Sequence, residues 1–220
     1  MKKAFTLAEV LITLGIIGVV AALTLPNKVG YYKRKESSVR IKKFYSIMEQ
    51  AIRLSEIDNA EVMYWEKESM DTDDPDFGTN NPKKTLKYFL SYIEPYLKYI
   101  SYDTKEEYIG DGNAPSELRI KMADGSLVYL FNGSCIDMVL DVNGKKAPNK
   151  WGYDLFDFLL CKDSVQKSNC GGSKHWCTYG PAQYKNREEA LAKCKIKPQT
   201  CSVLLQYDNW EFKEDYPYKL

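Results

Sequence analysis

A long apolar run near the N-terminus limits what this chain can fold into. From Phe5 to Leu25 there are 21 residues, and Glu9 is the only charged residue among them. A helix of that length rises about 30 Å, which matches the hydrocarbon core of a bilayer. We therefore expect a membrane-spanning helix over residues 5–25. A carboxylate inside such a span is costly, so Glu9 is a candidate functional residue.

The helical pattern continues beyond Pro26. Apolar residues such as Phe44, Met48 and Ile52 recur at three- and four-residue steps between charged ones. This spacing predicts an amphipathic helix that packs one apolar stripe on a soluble domain. We expect one helix from Phe5 to about Ile57, which Pro26 can kink because it lacks an amide donor.

Charge divides the chain into two parts. Residues 1–57 contain ten Lys and Arg against four Glu, and the remainder contains 21 basic against 26 acidic residues. The basic part adjoins the apolar run, where anionic lipid head groups would attract it. The sequence lacks the basic, aromatic-interleaved pattern of a nucleic-acid domain, so no specific nucleic-acid partner is expected.

The six cysteines all lie in the C-terminal 90 residues of the chain. An even, clustered set behind an apolar N-terminal segment predicts disulfides in an oxidising compartment. Zinc is less favoured, since the chain has one histidine and no CxxC pair. The cysteines are Cys135, Cys161, Cys170, Cys177, Cys194 and Cys201.

No catalytic motif is recognisable. The only histidine, His175, lies in a loop two residues from Cys177. There is no nucleophile elbow, P-loop or metal-ligand set, so we expect a protein that is not an enzyme.

Residues 58–220 read as an α+β domain. Leu118–Met122 and Leu127–Phe131 alternate around Asp124-Gly125, which predicts a two-residue hairpin pairing residue 122 with 127, 120 with 129 and 118 with 131. The other predicted elements are a polar surface loop over 58–82, two short helices within 83–100 divided near Pro95, strands over 135–142 and 155–161, an irregular loop over 162–186, a helix over 187–195 capped by Asn186, and late strands over 202–207 and 210–212.

Strand pairing suggests one disulfide. If strands 135–142 and 155–161 pair antiparallel, Cys135 faces Cys161. Bridges Cys170–Cys177 and Cys194–Cys201 would close short loops, but crossed pairings among these four stay open.

Two ordinary interpretations of the N-terminal segment can be weighed from the residues. One is a signal peptide cut after Ala22, and the other is an uncut signal anchor. The apolar run is longer than a typical signal-peptide core, and neither interpretation explains Glu9.

The first 26 residues resemble the type IV prepilin and type II secretion pseudopilin family. A short basic leader ends in the small residue Ala4, and Phe5-Thr6-Leu7-Ala8-Glu9, an apolar run and Pro26 follow. The family usually has glycine where this chain has Ala4. The resemblance implies that a prepilin peptidase removes residues 1–4, that Phe5 becomes the methylated N-terminus, and that Glu9 neutralises the N-terminal amine of a neighbouring subunit.

The resemblance also implies an architecture and a location. It implies a leader (1–4), a transmembrane helix (5–25), an amphipathic continuation (26–57) and an extracytoplasmic pilin-like α+β domain (58–220), with the helix packed on an antiparallel sheet and a disulfide-rich C-terminal region. The chain would cross the bacterial inner membrane once and enter a surface or periplasmic filament. Its partners would be other pilin subunits, the prepilin peptidase and membrane lipid.

The positive-inside rule gives the opposite orientation. Seven basic residues lie between residues 28 and 43 against two in the leader, which predicts a cytoplasmic C-terminal side. The cysteines and the leader favour an extracytoplasmic domain.

The function expected is a structural subunit of a type IV pilus or secretion pseudopilus. The alternatives are a membrane-anchored binding or adhesion module, including a minor tip pilin, and a role in DNA uptake.

A loop in the sheet region offers oxygen ligands. Asp141, Asn143 and Asp154 are calcium candidates, and some pseudopilins hold calcium in such a loop. An EF-hand is excluded by Lys145 at its fifth position and by the lack of a late glutamate. Asn-Gly and Pro-Asn are also ordinary turn residues, so a structural loop without calcium is the alternative. The segment resembles the DxNGxxxPNxxGxDxF element of bacterial proteins with prepilin-type N-termini.

Overall fold

A computed structural model describes residues 6–67, 82–110, 115–162, 169–171, 174–180 and 184–218. The side chains of residues 24–28 are outside the description. Ala4 and Phe5, the predicted cleavage residues, also lie outside the described residues, as does most of the polar segment predicted as a surface loop.

The first helix, α1, dominates the structure. It runs without interruption over Leu7–Asn59, 53 residues, with Thr6 as its N-cap. The prediction of one long helix through Pro26 is therefore confirmed, and its end lies two residues beyond the predicted Ile57. The apolar stripe of its second half, including Ile41, Phe44 and Met48, is buried against the rest of the chain.

The sheet has six strands in the order β1-β2-β3-β4-β5-β6, all antiparallel to their neighbours. The prediction of an α+β fold with an antiparallel sheet is confirmed. The edge strands β1 and β6 were not predicted, since three residues are too few to show an alternating pattern. The strands are β1 Ser101–Asp103, β2 Leu118–Lys121, β3 Leu127–Asn132, β4 Ile136–Asp141, β5 Leu155–Leu160 and β6 Trp176–Thr178.

The predicted register of the β2–β3 hairpin is wrong by one residue. The structure pairs Leu118 with Leu130 and Ile120 with Val128, where the two-residue loop predicted residues 131 and 129. Gly125 has a φ of +85°, and its N–H donates to Met122 O, so the connection is a three-residue turn. A one-residue shift moves a strand's side chains to the other face. The face of β2 that carries Leu118 and Ile120 therefore continues into Val128 and Leu130 of β3, and not into residues 127, 129 and 131 as predicted.

Short helices complete the fold. These are α2 (Pro82–Tyr92), α3 (Arg187–Ile196) and α4 (Cys201–Tyr207), together with 3₁₀ turns at Val62–Tyr64, Glu94–Tyr96 and Pro198–Thr200. The division near Pro95 and the Asn186 cap of α3 are confirmed. The late strands are wrong: residues 202–207 form α4, and 210–212 form no strand. A short apolar run does not by itself distinguish a strand from a buried helix.

Both faces of the sheet are covered. One face packs on α1, where Phe44 lies 5.3 Å from Phe158 and 6.0 Å from Trp176 between ring centroids. The other face packs under loop residues such as Ile109 and Trp151, which contact Tyr129 and Val139. This double coverage explains why every residue of β5 is buried.

Three disulfides hold the C-terminal region. Cys135–Cys161 is present as predicted, because Ile136 pairs with Leu160 and the next residues face each other. The other bridges are the local ones, Cys170–Cys177 and Cys194–Cys201. Each bridge contributes about 2–4 kcal/mol to stability, chiefly by restricting the unfolded chain.

Candidate functional site

The N-terminus of α1 contains Glu9 in a capping box. Glu9 Oε2 accepts hydrogen bonds from Thr6 N (2.9 Å) and Thr6 Oγ1 (2.7 Å), and Glu9 N donates to Thr6 Oγ1. The carboxylate therefore lies over the first turn, where the helix dipole also favours negative charge. The carboxylate of Glu9 is exposed and is bonded to Thr6, the residue that follows Phe5 in the sequence.

The N-terminal part of α1 is apolar and exposed on all sides. Its large apolar side chains are exposed, and Leu7, Ile12 and Leu23 expose 79%, 63% and 72% of their surface. Within the residues described, no helix reaches the length and apolarity needed to cross a membrane.

The middle of α1 is joined to the domain by basic side chains. Arg40 donates to Val142 O and pairs with Glu36 at 2.7 Å, and Lys43 lies 3.6 Å from Asp124 in the β2–β3 turn. These contacts fix the direction in which α1 leaves the domain.

The loop between β4 and β5 is organised by Asp154. Its Oδ2 accepts from Asn143 Nδ2 (3.0 Å) and Asn149 N (2.9 Å), and its Oδ1 accepts from Lys150 N (2.7 Å). Asp141 Oδ1 accepts from Asn143 N at 3.2 Å. Burial raises the pKa of Asp141 to about 7, and the charge of Asp154 adds to the rise. The structure therefore brings the three calcium candidates together.

The arrangement suits a structural loop better than a calcium site. Calcium takes six to eight oxygen ligands, whereas both oxygens of Asp154 already accept N–H groups. Asn143 Oδ1 is buried and has no hydrogen-bond partner among the described residues, so it is one oxygen still open to a cation. Across the described ranges, no group of three or more His, Cys, Asp or Glu is placed to hold a metal.

A pair of acidic residues on the other face of the sheet was missed by the sequence analysis. Asp137 on β4 and Asp157 on β5 point to the same side, because Asp137 pairs with Leu159 and Val139 with Asp157. Burial raises the pKa of both carboxyls, and the charge of Asp137 raises that of Asp157 further. Lys67 and Lys197 are the basic groups that oppose these shifts. An alternating strand does not reveal that its second face will be buried.

His175 has a structural position. Its Nδ1 lies 2.7 Å from Cys161 O, beside the Cys135–Cys161 bridge. The neighbouring Trp176 donates from Nε1 to Tyr45 O at 3.2 Å, which joins β6 to α1.

A cluster of ion pairs around the buried carboxylate of Asp208, near the C-terminus, was also not predicted. Arg187 donates to Asp208 (2.5 and 2.9 Å) and to Asp215 (2.8 and 2.7 Å), and Lys213 lies 2.8 Å from Asp208. The two carboxylates that Arg187 binds are 21 and 28 residues away from it, and no short-range pattern links them. The cluster fixes the C-terminal tail against α3.

Replacing Asp154 tests the structural role of the loop. Asp154→Ala leaves three N–H groups without their acceptor, so we expect the free energy of unfolding to fall by about 3 kcal/mol. Lys146→Ala, at an exposed position of the same loop, should change it by less than about 0.5 kcal/mol. Urea unfolding measures both. The unaltered chain should melt at the same temperature in millimolar calcium and in chelator, and a clear rise with calcium would instead support the ligand role.

The acidic pair predicts how stability depends on pH. A carboxyl whose pKa is raised in the folded state stabilises the fold when protonated, and this stability is lost as pH rises above the ordinary value of 3.8. We therefore expect the free energy of unfolding to fall from pH 4 toward neutrality. Asp157→Asn should flatten this slope, whereas Glu106→Gln at an exposed position should not. An unchanged slope in Asp157→Asn would contradict the assignment.

Comparisons with known proteins identify the family of the chain. No curated protein matches it, and no solved structure matches it. One family model matches residues 28–220, which covers α1 from residue 28 to its end together with the whole sheet domain. The chain therefore belongs to the family described as "Family of unknown function (DUF6613)".

Proposed function

We propose that the protein is a structural subunit of a type IV pilus or a type II secretion pseudopilus. In this proposal, residues 1–4 are removed, residues 5–25 hold the subunit in the bacterial inner membrane, and the sheet domain lies outside the cytoplasm. The observation that carries the proposal is the division of α1, whose first part is apolar and exposed and whose second part is buried on the sheet.

An exposed apolar helix needs an apolar partner. Side chains such as Leu11, Ile16 and Val19, each more than 60% exposed, cover different sides of α1. A helix that is apolar all round is found in the interior of a large assembly or in lipid. The helix of a pilin meets both environments, because it lies in the membrane before assembly and in the filament core afterwards.

The position of Glu9 supports the same proposal. A carboxylate carried into lipid is costly, and a salt bridge formed on assembly would relieve that cost. Glu9 lies over the first turn of α1, bonded to Thr6. Removal of residues 1–4 would create a new amine at Phe5, the residue before Thr6. The corresponding amine of a neighbouring subunit, placed at the height of this turn, could then pair with Glu9.

The disulfides support an extracytoplasmic domain. Three bridges close within residues 135–201, and no cysteine is left free. Such bridges persist in oxidising compartments and are rare in the cytosol. This agrees with the orientation implied by the leader and opposes the one implied by the basic residues.

The mass of the mature protein tests the processing. We expect the chain purified from its host membrane to have lost residues 1–4, to carry one methyl group on Phe5 and to hold three disulfides. Intact-mass spectrometry with N-terminal fragmentation measures this. A cut after Ala22 would contradict the proposal, and an unprocessed N-terminus would favour the anchored binding module. Ala4→Gly is the matched variant and should be cut at least as completely.

Two substitutions of Glu9 separate its possible roles. Glu9→Gln keeps a residue that can complete the capping box but removes the charge, and Glu9→Ala removes both. If Glu9 pairs with a neighbour's amine, both variants should lower filament yield at least about tenfold, since an unpaired buried charge costs several kcal/mol. The sheet domain should keep its melting temperature. Normal assembly of Glu9→Gln would show that only the cap matters.

A further inference from the structure

Charge is segregated along the second half of α1 and the residues that follow it. The lower segment, residues 33–43, contains six Lys and Arg against one Glu. The upper segment, residues 49–66, contains five acidic residues against the single Arg53. Between them, residues 44–48 carry no charge. Glu49, Glu56 and Asp58 lie on α1 itself, whereas Glu61 and Glu66 follow its end at Asn59. The helix thus has a basic segment below an acidic end.

Much of this charge is not neutralised within the chain. Lys33 and Lys35 are exposed and form no ion pair with any described residue, and the same holds for Glu61 and Glu66 at the upper end. The ion pairs that do exist within the two segments are local, Glu36 with Arg40 and Glu49 with Arg53, four residues apart. Such exposed pairs are worth only about 0.3–0.5 kcal/mol and leave most of the net charge of each segment unmatched.

Segregated charge decides how parallel copies can associate. Two copies standing level would place basic beside basic and acidic beside acidic, which is unfavourable. Lys35 and Glu56, both on α1, are 21 residues apart, which is on the order of 30 Å along a helix. A copy displaced by that distance would bring its basic segment beside the acidic segment of the first.

We propose that these two segments are complementary docking surfaces for a second copy of this chain, parallel to the first and displaced about 30 Å along the axis of α1. The inference rests on the proposed function and adds the geometry of one subunit contact, made by a different pair of neighbours from the pair joined through Glu9 and Phe5. It also gives the charge pattern a purpose before assembly, because level copies in one membrane plane repel each other while a displaced copy is attracted.

Lipid head groups do not account for the pattern. Lys43 lies 18 residues beyond Leu25, so it stands about 27 Å above the end of the apolar run. The field of an anionic membrane decays over about 8–10 Å at physiological salt, so Arg40, Lys42 and Lys43 are too distant to feel it. Head groups would also give the acidic upper segment no role, whereas a second copy engages both segments.

Zero-length cross-linking tests the contact. A carbodiimide joins Lys to Asp or Glu only where they touch, and peptide mass spectrometry identifies the pairs. In filaments of the full chain we expect links from Lys33 or Lys35 to Glu56 that are absent from detergent-solubilised subunits, since Lys35 and Glu56 are 21 residues apart on α1, about 30 Å within one chain. Lys43 and Asp124, 3.6 Å apart in each subunit, should be linked in both samples and serve as the internal control.

Charge reversal tests the energetics. Lys35→Glu with Lys42→Glu, or Glu56→Lys with Glu61→Lys, should each lower filament yield at least about fivefold, and the four changes together should restore it. Membrane-bound subunit is quantified in parallel, so that failed insertion is distinguished from failed assembly.

Two results would overturn the inference alone. They are filaments without the cross-links between segments, and reversal defects that are not restored by the combined swap but follow the anionic lipid content of reconstituted vesicles. If the unaltered chain is processed normally yet never assembles, the proposed function fails, and the inference with it.

Discussion

The packing of the second half of α1 on the sheet is the contact on which the structure depends. Phe44 and Tyr45 meet Phe158 and Trp176, and Trp176 also donates to Tyr45 O. Aromatic pairs of this kind add about 0.5–1.5 kcal/mol each beyond their buried area. Because this contact fixes α1 to the domain, the first part of the helix extends beyond the domain with its apolar side chains exposed.

The features that could be predicted from the sequence are those that depend on a long repeated spacing of apolar residues or on neighbouring elements of the chain. The spacing of Phe44, Met48 and Ile52 predicted α1, and the pairing of two neighbouring strands placed Cys135 opposite Cys161. The hairpin register was not predictable from Asp124-Gly125 alone. That dipeptide occurs both in two-residue loops and in three-residue turns with glycine at positive φ. Residues 127–131 are all apolar, so β3 can present an apolar face to β2 in either register.

What the sequence could not reveal depends on the second face of the sheet. Asp137 and Asp157 look like outward residues of half-buried strands, yet loops cover that face and raise the pKa of both. The Arg187–Asp208 pair depends equally on distant segments that meet only in the fold. Of the candidate site, the proximity of Asp141, Asn143 and Asp154 followed from their loop, but the N–H groups that occupy Asp154 became visible only from the backbone.

The two parts of α1 impose different requirements on any assembly. In the proposed assembly, the apolar part between Leu7 and Leu23, apart from Glu9, can pack on lipid or on other apolar helices at many axial positions, since its side chains are mostly apolar along its length. In the same assembly, the charged part, residues 33–66, favours particular displacements because its net charge changes sign once, between the lower and the upper segment. Association of the apolar parts can therefore supply the greater share of the free energy, while the charged parts select the displacement. A rod with uniform charge would have no such selection, and a rod without the apolar part would have little reason to associate at all.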